Sequence, residues 1–175
     1  MEEMEVPTEH LHEHINEHAE HSRDKWSMYL AVSTAIMAVM AAFGSLLAGH
    51  HSNEALISQL KSSDQWAYYQ AKGIKYEVVR STSMLNKESP ETNELKAEMA
   101  RYKKEQAEIK TKADEFQEES EMHLGKHNTV SYGVTLFQIA IAISAIAMLT
   151  GKRFLWYFSI VLSLGGAVLI ALSYR

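Results

Sequence analysis

The sequence predicts an all-α membrane protein: three transmembrane helices, with a long antiparallel helical hairpin, a coiled coil, between the first and the second. Three observations lead to this fold class. The chain contains three long apolar stretches without a charged residue, a polar and helix-prone segment separates the first two, and a single helix break lies near the middle of that segment.

The apolar stretches are residues 26–48, 130–150 and 154–173, and none contains Asp, Glu, Lys, Arg or His. At about 1.5 Å rise per residue, roughly 20 helical residues cross a hydrocarbon core about 30 Å thick. Trp26 and Trp156 lie near span ends, as interfacial aromatic residues do. Buried helices of a soluble protein are the alternative, but 175 residues leave too little polar surface to cover three such helices. A cleaved signal peptide does not fit, because the preceding segment is acidic.

Basic residues near the spans predict the orientation. Arg23 and Lys25 flank the first span, and Lys152 and Arg153 fill the turn between the second and third spans. Two intervening spans place both sites on one side of the membrane. Cytoplasmic loops are enriched in Lys and Arg, so we expect a cytoplasmic N-terminus and a hairpin on the opposite side. Two basic residues near the other span ends favour the reverse orientation but are outnumbered.

The polar segment, residues 49–127, is predicted to fold back on itself near residues 87–90. Ser89 is a favourable N-cap, Pro90 suits the first position of a helix, and Glu91 is favoured in the first turn by the helix dipole. One helix is therefore expected to end near Asn86 and another to begin at Pro90. The two arms are of similar length, so an antiparallel hairpin about 55 Å long follows.

Apolar periodicity predicts the faces through which the two arms meet. The second arm alternates four- and three-residue steps, which is typical of a coiled coil, through Leu95, Met99, Tyr102, Gln106, Ile109, Ala113, Phe116, Ser120, His123 and His127. The first arm has a less regular series in Leu56, Leu60, Ser63, Ala67, Gln70 or Ala71, Ile74, Val78 and Ser81. Folding near residue 89 would place Phe116 near Leu60 and Ser63.

A second stripe of the first arm consists of Trp66, Tyr69, Gly73 and Tyr76. It is predicted either to widen the core of the hairpin or to form an interface between subunits, where Trp and Tyr are enriched. Rows of small residues in the spans also favour a homo-oligomer, because they let membrane helices approach closely. These rows are Ala38 and Ala42, with Ala41, Ser45 and Gly49, in the first span, and Ser159, Ser163, Ala167 and Ala171 in the third.

The stretch GHHSNEALISQLKSSDQWAYYQAKGIK, residues 49–75, occurs together with three spans and an N-terminus rich in His and Glu. In this combination the chain resembles the bacterial family catalogued as domain of unknown function 4337. The most specific part is SDQWAYYQAK, residues 63–72. The resemblance covers nearly the whole chain and implies a bacterial inner-membrane protein. It brings no activity, cofactor or catalytic residue.

Several classes of function are disfavoured by the composition. The chain has no cysteine and lacks a P-loop, a nucleophile elbow and an HExxH motif, so we expect no enzyme. A formal net charge of −5 argues against a nucleic-acid partner. The spans contain no ionisable residue, which argues against a proton- or ion-coupled transporter. A passive pore stays open, because hydroxyl groups and backbone atoms are able to line one.

The N-terminal tail, residues 1–25, is a candidate metal-binding or pH-responsive segment. In a helix, His10, His14, His18 and His21 would share one face, with glutamates beside them. Imidazole and carboxylate together suit Zn, Ni, Co or Cu(II). Eight acidic and two basic side chains give the tail a charge of −6, and protonation of its five histidines near pH 6.5 would reduce this to −1. The alternative is a solvated acidic arm.

A second histidine group is expected at the base of the hairpin. His50 and His51 begin one arm, and His123 and His127 end the other, so the predicted fold would bring all four together. They would form a candidate site for a zinc-like ion, with neighbouring carboxylates in support. The alternative is that these histidines pack or form hydrogen bonds near the lipid headgroups.

From the sequence we expect a non-enzymatic, homo-oligomeric protein of the lipid bilayer, whose histidine clusters bind or sense divalent transition metals or pH. One alternative is a passive channel for ions or small solutes with a coiled-coil crown. A further alternative is a scaffold that binds partner membrane proteins through the hairpin.

Overall fold

The computed structural model describes residues 25–85 and 92–174. These residues form three α-helices, α1 (Lys25–Leu85), α2 (Thr92–Thr150) and α3 (Arg153–Leu172). Each is long and apolar enough to cross a membrane, so the predicted all-helical class and the number of candidate spans are confirmed. The tail up to residue 24 and the expected break at Ser89 and Pro90 lie outside the described residues.

Both long helices contain an apolar and a polar part without interruption. α1 continues through Gly49, at the end of the first apolar stretch, and α2 continues through Gly125, just before the second. Helix α2 ends at Thr150, and the next residue, Gly151, has a φ of 67°, in the left-handed region where glycine is favoured. The turn Gly151–Lys152 then leads directly into α3.

The chain divides into two compact units. Among the described residues, the apolar unit comprises residues 25–52 and 124–174, and the polar unit comprises residues 53–85 and 92–123. In the apolar unit, the core is formed by side chains of all three helices, including Met37 and Ala41 of α1, Phe137 and Ile141 of α2, and Ile170 of α3.

Glycines bring the helices of the apolar unit into close contact. A Cβ on Gly166 would lie 2.7 Å from the carbonyl oxygen of Gly133, and a Cβ on Gly133 would lie 2.9 Å from that of Gly166. The backbones of α2 and α3 are therefore closer than a side chain would permit. Gly44 of α1 is similarly placed, since its Cβ would lie 2.7 Å from Cγ2 of Val134. The predicted rows of small residues did not include Gly44, Gly133 or Gly166, although glycine inside an apolar span was the available signal.

Hydroxyl groups connect the same three helices. Ser144 Oγ of α2 donates to Ser159 Oγ of α3 at 2.8 Å, and Ser159 Oγ donates to the carbonyl oxygen of Trp156 at 2.8 Å. Trp156 Nε1 donates to Ser33 Oγ of α1 at 3.0 Å, and Ser33 Oγ donates to the Leu30 carbonyl at 2.9 Å. These bonds satisfy polar groups that hydrocarbon would leave without partners.

In the polar unit, α1 and α2 meet through small side chains and hydrogen bonds to backbone carbonyls. Ser120 Oγ donates to the Ala55 carbonyl at 2.8 Å, and Ser62 Oγ donates to the Ala113 carbonyl at 2.9 Å. Farther along α1, the carbonyl of Tyr69 accepts a hydrogen bond from Gln106 Nε2 at 3.3 Å. Successive pairs lie seven residues apart on each helix. As the residue numbers rise along α1, those of the partners on α2 fall.

The predicted contact face of α2 is confirmed, because Tyr102, Ile109, Ala113 and Ser120 are buried. The register is also close to the predicted one. Phe116 was expected near Leu60 and Ser63, and the Nζ atom of the intervening Lys61 lies 5.4 Å from the centroid of its ring.

The predicted contact face of α1 is wrong. Its expected residues are all exposed: Leu56, Leu60, Ser63, Ala67, Gln70, Ala71, Ile74, Val78 and Ser81. Ala55, Ser58 and Ser62 are buried instead. The observed face begins one residue earlier, which rotates the helix surface by about 100°. Small side chains let the backbones approach and the serine bond form, whereas a pattern of large apolar residues indicates a wider separation.

Candidate functional site

In the polar unit, α1 packs on α2 through the face of Ala55, Ser58 and Ser62, so its more apolar face is exposed. Its large members are Leu56, Leu60, Ile74 and Val78, which are 60%, 66%, 66% and 59% exposed. We call this face, together with Ser63, Ala67, Gln70 and Ser81, the α1 stripe. An exposed apolar face of this length outside the candidate spans is typical of a binding surface.

None of the residues of the α1 stripe is charged, and they recur at three- and four-residue steps, as in a coiled-coil contact. Part of the stripe borders an open groove of about 790 Å³, lined by Gln70, Gly73, Ile74, Glu77 and Val78 among others. The stripe therefore offers both protruding side chains and a recess, the two features that helix packing requires.

The stripe of Trp66, Tyr69, Gly73 and Tyr76, predicted as a candidate subunit interface, is half-buried. Trp66 and Tyr69 pack edge to face with ring centroids 5.5 Å apart. A Cβ on Gly73 would lie 2.9 Å from Gln106 Nε2, and Lys103 Nζ lies 5.4 Å from the centroid of the Tyr76 ring. Contacts within the chain thus explain why these residues are half-buried. This agrees with the first of the two predictions, in which the stripe widens the core of the hairpin. A subunit interface at these four positions stays a prediction.

An ion pair joins the two helices beside this stripe. Lys72 Nζ of α1 lies 2.6 Å from Glu105 Oε2 of α2, and the Lys72 side chain is 14% exposed. The ammonium group also lies 5.2 Å and 5.5 Å from the ring centroids of Tyr68 and Tyr102. Two aromatic faces and a carboxylate thus surround the cation, and each attracts it.

The hydrogen bond between the two groups lowers the pKa of Glu105 from its ordinary 4.5 and raises the pKa of Lys72 from its ordinary 10.5. Burial opposes both shifts. The contribution of Glu105 to stability is present above pH 4.5 and is lost as pH falls through its folded pKa. The contribution of Lys72 is present below pH 10.5 and is lost as pH rises through its folded pKa. The pair therefore stabilises the fold most between these values.

We expect Lys72→Glu to lower the melting temperature of the full chain by several degrees. The substitution replaces the ion pair with two carboxylates, which repel each other. The double variant Lys72→Glu/Glu105→Lys should recover most of the loss. Lys104→Glu is the matched control, since Lys104 is 80% exposed and 3.9 Å from Glu108. It should change the melting temperature little. Equal losses in Lys72→Glu and Lys104→Glu at pH 7 would contradict a stabilising role for the pair.

The histidines expected at the hairpin base do not form a metal site in the described residues. His50 and His51 are adjacent on α1 with ring centroids 5.5 Å apart. His127 Nδ1 lies 2.8 Å from the Ala48 carbonyl oxygen, and His123 belongs to the polar unit. Over residues 25–85 and 92–174, no group of three or more His, Asp or Glu side chains is placed to hold a metal ion. The arrangement therefore gives no support to a zinc-like site at His50, His51, His123 and His127.

The tail histidines His10, His14, His18 and His21 lie outside the described residues, so metal binding there stays a prediction. The sequence did signal the α1 stripe, because two apolar series were visible on one arm. The apolar periodicity predicts that the larger side chains form the contact within the chain, but the structure exposes them.

The comparisons with known proteins identify a family and nothing further. No curated protein and no solved structure matches the chain. One family, described as a domain of unknown function (DUF4337), matches residues 26–175, which include α2, α3 and all of α1 except Lys25. The chain therefore belongs to the DUF4337 family.

Proposed function

We propose that the protein is a non-enzymatic, multi-pass membrane scaffold. Its apolar unit anchors an antiparallel two-helix coiled coil, and the coiled coil presents the α1 stripe to another helix. The observation that carries the proposal is this stripe of large apolar side chains, uncharged and more than half exposed, on a helix that already packs on α2 through its other face.

The antiparallel coiled coil is supported by the order of the contacts. Ala55, Ser62 and Tyr69 bond to Ser120, Ala113 and Gln106 respectively, so each heptad of α1 meets one heptad of α2 in reverse order. The basic residues near the spans favour a cytoplasmic N-terminus in a bacterial inner membrane, with the coiled coil on the other side.

The structure offers less support for the two other functions. A passive channel needs polar groups that line an open path, but Ser144 and Ser159 are buried and bonded to each other. Metal binding by histidines would depend on the tail, because the described histidines supply no group of three ligands. The exposed apolar face, in contrast, is a surface that solvent disfavours and a partner helix would cover.

Native electrophoresis of membranes solubilised in mild detergent tests the scaffold. We expect the wild-type chain to migrate in a complex, and the variant Leu60→Glu/Ile74→Glu to lose it, because two carboxylates would be buried in the contact. The matched control is Ala100→Glu/Ala107→Glu, which adds the same charges at exposed positions of α2. A wild-type chain that migrates as a monomer, or a control that loses the complex equally, would reject the scaffold.

A further inference from the structure

We propose that the helix covering the α1 stripe is the same stripe of a second copy, aligned in parallel in the same membrane about a two-fold axis. This inference rests on the scaffold function and names its partner. Three properties of the polar unit support it: the chemistry of the stripe, the distribution of charge on α2 and the area available for contact.

The stripe is complementary to itself. Across a two-fold axis each residue meets its own counterpart or a close neighbour, so the face must tolerate identical groups in contact. Leu60 and Ile74 meet this condition because they are apolar. Gln70 meets it because an amide both donates and accepts hydrogen bonds. A single polar residue of this type within an apolar contact also fixes register, because a displaced pairing leaves its amide without a partner.

The charges on α2 disfavour a contact between two copies through this helix. Between residues 113 and 123, α2 has five exposed acidic side chains and no Lys or Arg: Asp114, Glu115, Glu118, Glu119 and Glu121. Two parallel copies that met through this segment would bring like charges together. The flanks of the α1 stripe contain both signs instead, with Lys61 three residues before Asp64 and an Arg80 nitrogen 3.2 Å from a Glu77 oxygen. A parallel α1–α1 contact therefore avoids the repulsion that an α2–α2 contact would produce.

The contact area favours a partner that is anchored in the same bilayer. From residue 56 to residue 81 the stripe is about 38 Å long, and with helix axes about 9 Å apart two copies bury on the order of 800 Å². Stable interfaces between soluble proteins usually bury at least about 1,200 Å². Joint anchoring offsets this small area by raising the effective concentration of the partner. A second copy is always anchored at the matching residue of α1.

Disulfide crosslinking tests the pairing, because the chain has no cysteine of its own. In the full-length protein in membranes, Leu60→Cys and Ile74→Cys should each form a covalent dimer under mild oxidation, since identical residues meet in a parallel two-fold contact. Lys104→Cys and Lys112→Cys on the exposed surface of α2 are the controls, and we expect at least fivefold less dimer from them. All four side chains are exposed, so retained helicity in circular dichroism is expected and checks the fold.

Dimer yields at Leu60→Cys and Ile74→Cys no higher than at the α2 controls would overturn the inference. A crosslink from these positions to a different polypeptide, with a monomeric purified chain, would also overturn it while leaving the scaffold function intact. If the stripe cysteines crosslink to nothing and the native complex is absent, both proposals fail. A dimer at Leu60→Cys that disappears when Ile74→Glu is added would support one continuous contact along the stripe.

Discussion

Gly166→Ala is expected to lower the melting temperature of the detergent-solubilised protein by several degrees, through a single added methyl group. The added Cβ would lie 2.7 Å from the Gly133 carbonyl oxygen and 3.1 Å from the Phe137 ring. The carbonyl belongs to the backbone of α2 and is unable to rotate away as a side chain would. Helices α2 and α3 must therefore separate, and overpacking of this kind costs about 1–3 kcal/mol.

The neighbouring residue supplies the control for this experiment. A Cβ on Gly165 would lie 3.6 Å from Leu136 Cδ1, which is an ordinary contact. Gly165→Ala makes the same chemical change one position away and should leave the melting temperature unchanged or slightly higher, because alanine favours a helix by up to about 1 kcal/mol over glycine. Thermal unfolding followed by tryptophan fluorescence measures both variants. Equal melting temperatures would contradict the close α2–α3 contact.

The second large effect is expected at Ser62, where leucine should destabilise the polar unit. Ser62 is 1% exposed, and its hydroxyl group donates to the Ala113 carbonyl at 2.9 Å. A conventional coiled coil gains stability when leucine replaces serine in the contact. Here the small side chain permits the backbone approach, so we expect a loss of about 1–3 kcal/mol from overpacking and about 1 kcal/mol from the hydrogen bond.

Ser63→Leu is the matched control, and it also separates the two possible contact faces of α1. Ser63 is exposed and belongs to the α1 stripe, so leucine there should not reduce stability and should strengthen the proposed contact between copies. The melting temperature of each variant measures the first effect, and the oligomer mass measures the second. If Ser63→Leu destabilised the chain more than Ser62→Leu, the contact face predicted from periodicity would be correct and the observed one would not.

The parts of this fold that depend on length and charge were predictable from the sequence. A charge-free stretch of about 20 residues has few alternatives to a membrane-spanning helix, so the three candidate spans follow from residues 26–48, 130–150 and 154–173. The contact face of α2 was also predictable, because a single apolar series there is flanked by charged residues such as Lys103 and Glu108.

The contact face of α1 was not predictable by the same argument, because that helix has two series with helical spacing. Leu56, Leu60 and Ile74 form the more apolar one, whereas Ala55, Ser58 and Ser62 form the buried one. Apolar periodicity measures what a helix gains by burial, but it does not measure how closely two backbones approach. Hydroxyl hydrogen bonds to carbonyl groups depend on that approach, and Ser62 and Ser120 form such bonds here.

In the polar unit, the three hydrogen bonds between α1 and α2 make some positions more tolerant of mutation than others. The acceptors are backbone carbonyls of Ala55, Tyr69 and Ala113, which every amino acid would supply. The donors are side chains of Ser62, Gln106 and Ser120, and few other residues could replace them. Genetic drift could therefore change the side chains at the acceptor positions without removing a bond, within the limits of space. These three hydrogen bonds depend on three side chains rather than six, and along the contact the donors alternate between the two helices.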